Sequence, residues 1–350
     1  MKEIFKLEAK KSIFTKKLFF MLIVFWGLKI AYTSIFQASD NYNFDKVIYK
    51  EYMEILEGPH TEEKYKYIQE EIEKQNQLIE KEDEYAAKYR IGDIGTDEYR
   101  DIKSQIEKAS ERLEVLEVIN NKANYFENSY SKGEYFYDLD IKNYFENINI
   151  DLFALVFVIY IIAVIFVSDY VAKTNVLVST SALGREKLIH VRLTLSIICI
   201  MVVSMAFQAT EYITKFVTGD FTHLNAPVKS IEVMAMCIKD MTIKEFLINM
   251  FIVRMLFLLG ISLIGICIAI YAKNSISLFV IVLGIVVMPT FFYYKVPSLI
   301  NAILPTLGYN GKELYTYSEK VLGVRFDIAT IISIIIISTV SLMLINRKKR

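Results

Sequence analysis

Apolar residues in this chain fall into long runs separated by strongly polar stretches. Six runs approach the ~20 mostly apolar residues that a helix needs to cross a bilayer. They cover 18–36, 152–168, 193–217, 246–271, 276–294 and 328–345. The second, fifth and sixth hold no Asp, Glu, Lys or Arg; the third is charge-free over 193–210 and the fourth over 255–272. Buried helices of a soluble core rarely stay charge-free for so long, so six transmembrane helices are expected. The first run contains Lys29 and follows a basic stretch, as a signal peptide would. Its apolar part outlasts the usual ~7–15 residues of a signal sequence, and no small-x-small cleavage site follows, so it reads as a retained span.

Between the first two runs the period changes. Tyr65, Ile68, Ile72, Gln75, Ile79, Glu82, Ala86 and Tyr89 recur in steps of three and four. Tyr99, Ile102, Ile106, Ala109, Leu113, Leu116, Asn120 and Ala123 do the same. This heptad spacing predicts two long helices over 62–124, paired antiparallel as a coiled-coil hairpin about 40 Å long at ~1.5 Å per residue. Gly92 and Gly95 break the pattern between them, and Thr96 suits the N-cap of the second helix. Gln75, Glu82 and Asn120 interrupt the seam, which therefore needs a further surface against it. The stretch 124–149 carries Tyr125, Phe126, Tyr130, Tyr135, Phe136, Tyr137, Tyr144 and Phe145. These rings are expected to pack under the hairpin as its core; a ligand-contacting or membrane-interface patch is the competing reading.

Composition agrees with a membrane protein: 54% of the 350 residues are hydrophobic, above the ~45–50% of soluble domains. The net charge of zero hides an asymmetry. Residues 39–150 hold 15 Lys/Arg against 27 Asp/Glu, a net of −12, and the rest of the chain, with 25 against 13, is +12. Cytoplasmic flanks of membrane helices carry the excess of Lys and Arg. With six spans and both ends inside, the segments 1–17, 168–192, 272–276 and 346–350 hold 15 Lys/Arg in 52 residues, whereas 218–245 and 295–327 hold 7 in 61. The expected architecture is thus an all-α polytopic membrane protein with both termini cytoplasmic. An amphipathic segment 1–17 leads into span 18–36, an extracellular helical domain occupies 37–151, and spans two to six lie in 152–350 with a cytoplasmic loop at 169–192. A bacterial cell membrane is the expected location.

Motifs of catalysis are missing from the sequence. There is no G-x-x-x-x-G-K-[ST], no H-E-x-x-H and no G-x-S-x-G, so no nucleotide, metalloprotease or hydrolase chemistry is expected of this polypeptide. Cys199, Cys237 and Cys267 form no C-x-x-C pair, and His60, His190 and His223 lie far apart, so no metal or bound cofactor is expected. The tail Arg347–Arg350 suits a stop-transfer anchor better than a nucleic-acid site.

Three features resemble the membrane subunit of an ABC-2 type transporter. A basic stretch with a thin apolar stripe (Ile4, Leu7, Phe14) precedes the first span, as does the family's elbow helix. The loop from Asp169 through Thr174, Leu177, Val178, Ser179, Leu183 and Arg185, with Arg192 opening the next span, is similar to the family's coupling loop. Lys173 stands where the family often has Gly, and the large insert between spans one and two occurs only in some members. The six-span order, with a longer segment between spans five and six, completes the likeness. The resemblance implies an ATP-driven exporter of a peptide, antibiotic or lipid-like substrate. ATP and Mg would be bound by a separate cytoplasmic ABC ATPase, contacted through Leu177, Val178, Leu183 and Arg185. A second permease copy or paralogue and the lipid bilayer are the other implied partners. The alternative is a sensory or mechanotransmitting protein whose coiled-coil ectodomain binds an extracellular ligand without transport.

Three charges fall within the spans. By residue counting, Lys29 lies ~18 Å beyond Lys17, Arg254 ~12 Å inward of Phe246, and Glu211 ~28 Å beyond Arg192. A charge at mid-membrane costs about 2.5–3.5 kcal/mol on insertion scales. Either Glu211 faces Lys29 or Arg254 and lines a substrate path, or all three reach the interface independently on their flexible stems.

Overall fold

The computed structural model describes residues 2–35, 42–129, 132–147, 151–168, 184–271, 274–292, 315, 320–321 and 324–347. The described chain is predominantly α-helical. Helix α1 (Lys2–Ser12) leads through a short bend into α2 (Lys16–Ile35). The polar part then contains α3 (Lys46–Leu56), α4 (Glu62–Ile79), α5 (Glu82–Arg90), α6 (Thr96–Ser129) and α7 (Leu139–Glu146). The apolar part follows as α8 (Leu152–Ile162), α9 (Gly184–Thr218), α10 (Ile243–Tyr271), α11 (Ser275–Phe292) and α12 (Phe326–Arg347).

Each of the six apolar runs is helical over most of its length, which satisfies backbone N–H and C=O groups within the segment. Among the described residues three helices are long and apolar enough to cross a membrane: α2, the Lys187–Thr218 part of α9, and α10. Helix α8 is the hub of the apolar part. It packs against α2, α9, α10 and α11, and Leu155, Val158, Ile159 and Ile162 on its several faces are all buried. Gly265 of α10 permits the close approach, since a Cβ there would meet Ile162 Cδ1 at 3.2 Å. The end of α8 widens into a π-helical turn, Ala163–Val167, which the run of apolar residues gave no reason to expect. Around this core α2, α9, α10 and α12 turn large apolar side chains outward, among them Phe19, Trp26, Val202, Ile252 and Ile336. So much exposed apolar surface suits contact with lipid and not with water.

The polar part has a second core. Tyr52, Met53, Ile68, Val115, Leu116, Ile119 and Phe126 pack where α3 and α4 meet α6. The seam needs a third element, and α3 is that element: Val115 and Ile119, which lie off the heptad positions, are both 0% exposed. The first helix of the hairpin is not continuous. It breaks at Glu80 and Lys81 into α4 and α5, near the point where the seam turns polar, and Glu82 is exposed. The glycine break lies as expected. Gly92 takes φ +84°, its N–H donates to Tyr89 O, and Asp93 N–H donates to Lys88 O, the paired bonds of a Schellman termination. Thr96 is the first helical residue and not the cap; Gly95 O accepts from Tyr99 N–H instead. Beyond the break Tyr89 stacks on Tyr99 with centroids 4.3 Å apart.

The aromatic stretch does pack inward. Phe126, Tyr135, Phe136, Tyr144 and Phe145 are all buried; Tyr130 lies outside the described residues. A two-residue antiparallel pairing of Gly58–Pro59 with Glu134–Tyr135 ties the end of α3 to the segment after α6. The loop between α9 and α10 is the floor of the polar part, a role its short length had not suggested. Val228, Ile231 and Met234 are buried in it. Asp220 N–H donates to Asp140 Oδ2 (2.7 Å), Glu134 N–H to Ser230 Oγ (2.9 Å), and Lys142 pairs with Glu232 (2.5 Å).

Candidate functional site

Where the polar and apolar parts meet, four charged side chains from four helices converge. Lys29 projects from α2, Glu211 from α9 and Arg254 from α10, and Asp151 caps α8, its Oδ1 accepting from Ala154 N–H at 3.0 Å. Lys29 Nζ lies 2.5 Å from Glu211 Oε2 and 3.0 Å from Asp151 Oδ2. Arg254 Nη1 donates to Glu211 Oε1 at 3.0 Å. The four residues are 1–4% exposed. Independent snorkelling is therefore corrected: the charges are buried within the protein and pair with one another. Two cations and two carboxylates sum to zero, which is the only arrangement of four buried charges that avoids a large uncompensated desolvation cost.

A fifth group joins from the polar part. Tyr144 of α7 donates its phenol to Glu211 Oε1 at 3.1 Å. Burial, followed by the neighbouring carboxylate, pushes this phenol well above its ordinary pKa, so it stays protonated and remains a donor. Tyr144 also packs edge-on to Tyr212 (6.1 Å) and Phe221 (6.3 Å). Glu211 is thus the centre of a clasp joining α2, α9 and α10 to α7. One turn away, Trp26 Nε1–H donates to Thr210 Oγ1 at 2.6 Å.

The sequence supplied Lys29, Glu211 and Arg254 but neither Asp151 nor Tyr144. Asp151 sat one residue outside an apolar run, and Tyr144 was one ring among eight. Their signal is weak but present: Asp151 stands three residues before an amide it can cap, and α7 is the last helix before α8. In this conformation the charges point at each other, so they form a closed clasp instead of lining an open path.

A second polar contact lies at the opposite end of α9. Arg192 Nε and Nη2 reach Glu8 Oε2 and Oε1 at 3.2 and 3.3 Å, fixing α1 to the foot of α9. The face of α1 turned to the protein carries Glu8, Ala9 and Ser12. The thin apolar stripe is on the other side: Leu7 and Phe14 are exposed, Phe14 lying past the end of the helix, and Ile4 is half-buried. Leu177, Val178 and Leu183 lie outside the described residues. Arg185 lies in the first turn of α9.

The histidines are engaged locally. His60 bridges Tyr135 Oη and Glu127 Oε1, each at 2.8 Å, and His223 stacks on Phe136. Among the described residues no group of three His, Cys, Asp or Glu is placed to hold a metal ion. The described site consists of charge pairs and a phenol that link α2, α7, α9 and α10 to the start of α8. No protein-family model, curated protein or solved structure matches this chain.

Proposed function

We propose that this chain is the membrane-spanning permease subunit of an ATP-driven exporter, with six spans, both termini cytoplasmic and residues 37–151 outside the cell. ATP hydrolysis takes place on a separate cytoplasmic subunit that engages 169–192. The observation that carries this reading is the neutral clasp of Lys29, Asp151, Glu211 and Arg254. Buried ion pairs contribute less stability than apolar side chains of the same shape. Their use here favours a role in switching, because their discrete geometry suits a joint with two packed arrangements. The clasp sits where movement of α9 and α10 passes to the polar part through Tyr144. At the other end of α9, the Glu8–Arg192 pair supports α1 as the elbow that transmits a push from the ATPase.

The same junction favours a second reading, a receptor whose helical domain relays a ligand signal into the membrane. Mass spectrometry of the detergent-solubilised complex, followed by reconstitution, separates them. The exporter reading expects an ABC ATPase to co-purify, and Leu183→Asp with Arg185→Glu to abolish that association while insertion is retained. In vesicles it expects ATP-dependent movement of a member of a panel of labelled peptides and lipids. Association that survives the double change, or a complex with no ATPase, overturns it.

A further inference from the structure

An open cavity of about 280 Å³ lies between the end of α9 and the start of α10, on the side of the polar domain. Its walls are Tyr212, Phe216, Leu247, Ile248 and Phe251, with Lys244 at the rim. We infer that this groove holds an anionic phospholipid of the adjoining leaflet, an acyl chain against the aromatic walls and the headgroup phosphate on Lys244.

The level of the groove points to a lipid. Lys244 is in the first turn of α10, where the helix leaves the polar loop and enters its apolar run. Lys and Arg near helix ends meet headgroups at this depth. Outward of the groove, Ile213, Val217 and Ile252 continue the exposed apolar surface, so the cavity opens sideways onto hydrocarbon. Its volume, just under the ~300 Å³ at which ligand pockets begin, suits part of an amphiphile.

The charge points to an anion. Thr242 and Glu245 form a capping box: Thr242 N–H donates to Glu245 Oε2 at 2.9 Å and Glu245 N–H to Thr242 Oγ1 at 3.2 Å. That arrangement occupies the adjacent carboxylate. Among the described residues Lys244 is exposed and has no carboxylate partner. A cation with no carboxylate in contact, above an apolar floor, complements a single phosphate with a chain attached.

The occupant would also touch a neighbour of the clasp. Tyr212, one wall of the groove, adjoins Glu211 in sequence, packs on Tyr144, and spans α9 and α10 through its bond to Leu247 O at 3.1 Å. This inference needs the apolar helices to lie in a bilayer but does not need the chain to transport anything.

The test is native mass spectrometry of the full chain released from nanodiscs of phosphatidylglycerol and phosphatidylcholine in equal parts. Wild type should retain one phosphatidylglycerol in preference to phosphatidylcholine. Lys244→Gln should reduce that preference about fivefold, the worth of one basic residue at a lipid surface, and leave the helical circular dichroism unchanged. Ile248→Trp, which fills the groove, should reduce retention of both lipids. Equal retention of the two lipids by wild type, or no change in Lys244→Gln, overturns the proposal. Displacement of the bound species by millimolar inorganic phosphate would make this a free-anion site and overturns the lipid assignment. A readout of bound lipid stands whether or not an ATPase is ever found.

Discussion

Glu211 is the residue on which the buried charges depend. It meets both Lys29 and Arg254, so Glu211→Gln weakens the hold on each. Removing one partner of a buried ion pair costs about 3–5 kcal/mol. Glu211→Gln should therefore lower the thermal midpoint in detergent more than Tyr144→Phe, which removes one hydrogen bond worth about 0.5–1.5 kcal/mol. Pairing Glu211→Gln with Arg254→Met should recover part of the loss, because residues in contact couple by about 0.5–3 kcal/mol. Strictly additive losses would mean that the two side chains do not share an energetic contact. Three of the five side chains of this site were legible in the sequence. Charges inside apolar runs are conspicuous, and the cost of leaving them unpaired pointed to a partnership. Asp151 and Tyr144 stayed hidden because nothing in local periodicity says which loop residues a fold brings to a span.

Among the elements, the turn after α6 is the most constrained. A Cβ at Gly133 would overlap the ring of Phe126, which is fully buried in the core of the polar part. The ring cannot swing away, since it packs on Tyr135 at 5.2 Å and His60 at 5.6 Å. Overpacking of this kind costs about 1–3 kcal/mol. Gly133→Ala should make residues 42–147 more sensitive to limited proteolysis while the apolar helices stay protected; equal protection of the variant and wild type would show that the core can absorb the methyl. The hairpin illustrates what periodicity does and does not carry. Heptad positions Ile68, Ile106, Ala109 and Leu116 are buried as expected. The break at Glu80 and the docking of α3 on Val115 and Ile119 were missed, because a seven-residue repeat describes one seam and α6 has two. The pairing of Glu8 with Arg192 was equally invisible: 184 residues separate them, and each looks like an ordinary surface charge on its own helix.

At the scale of the whole molecule, the charge distribution and the fold make one argument about sidedness. The polar domain is net −12 and is joined to the loop between α9 and α10 by the Asp140, Ser230 and Glu232 contacts. If α2, α9 and α10 cross a membrane, that loop and the domain share one side of it. At the far end of α9, Arg192 holds Glu8 of α1, the lysine-rich helix that leads into α2. Lys and Arg concentrate on the cytoplasmic side, so the proposed topology has α1 inside and the domain outside. The prediction uses a chain whose three native cysteines, Cys199, Cys237 and Cys267, are replaced by serine. Cysteine introduced at Ser104, exposed on α6, should react with a membrane-impermeant maleimide on intact cells. Cysteine introduced at Lys6, exposed on α1, should react only after the membrane is permeabilised. Labelling at Lys6 but not Ser104 would invert the orientation and leave the coupling segment on the wrong side for a cytoplasmic ATPase. Labelling at both on intact cells would place the two positions on one side, and α2 would then not cross the membrane.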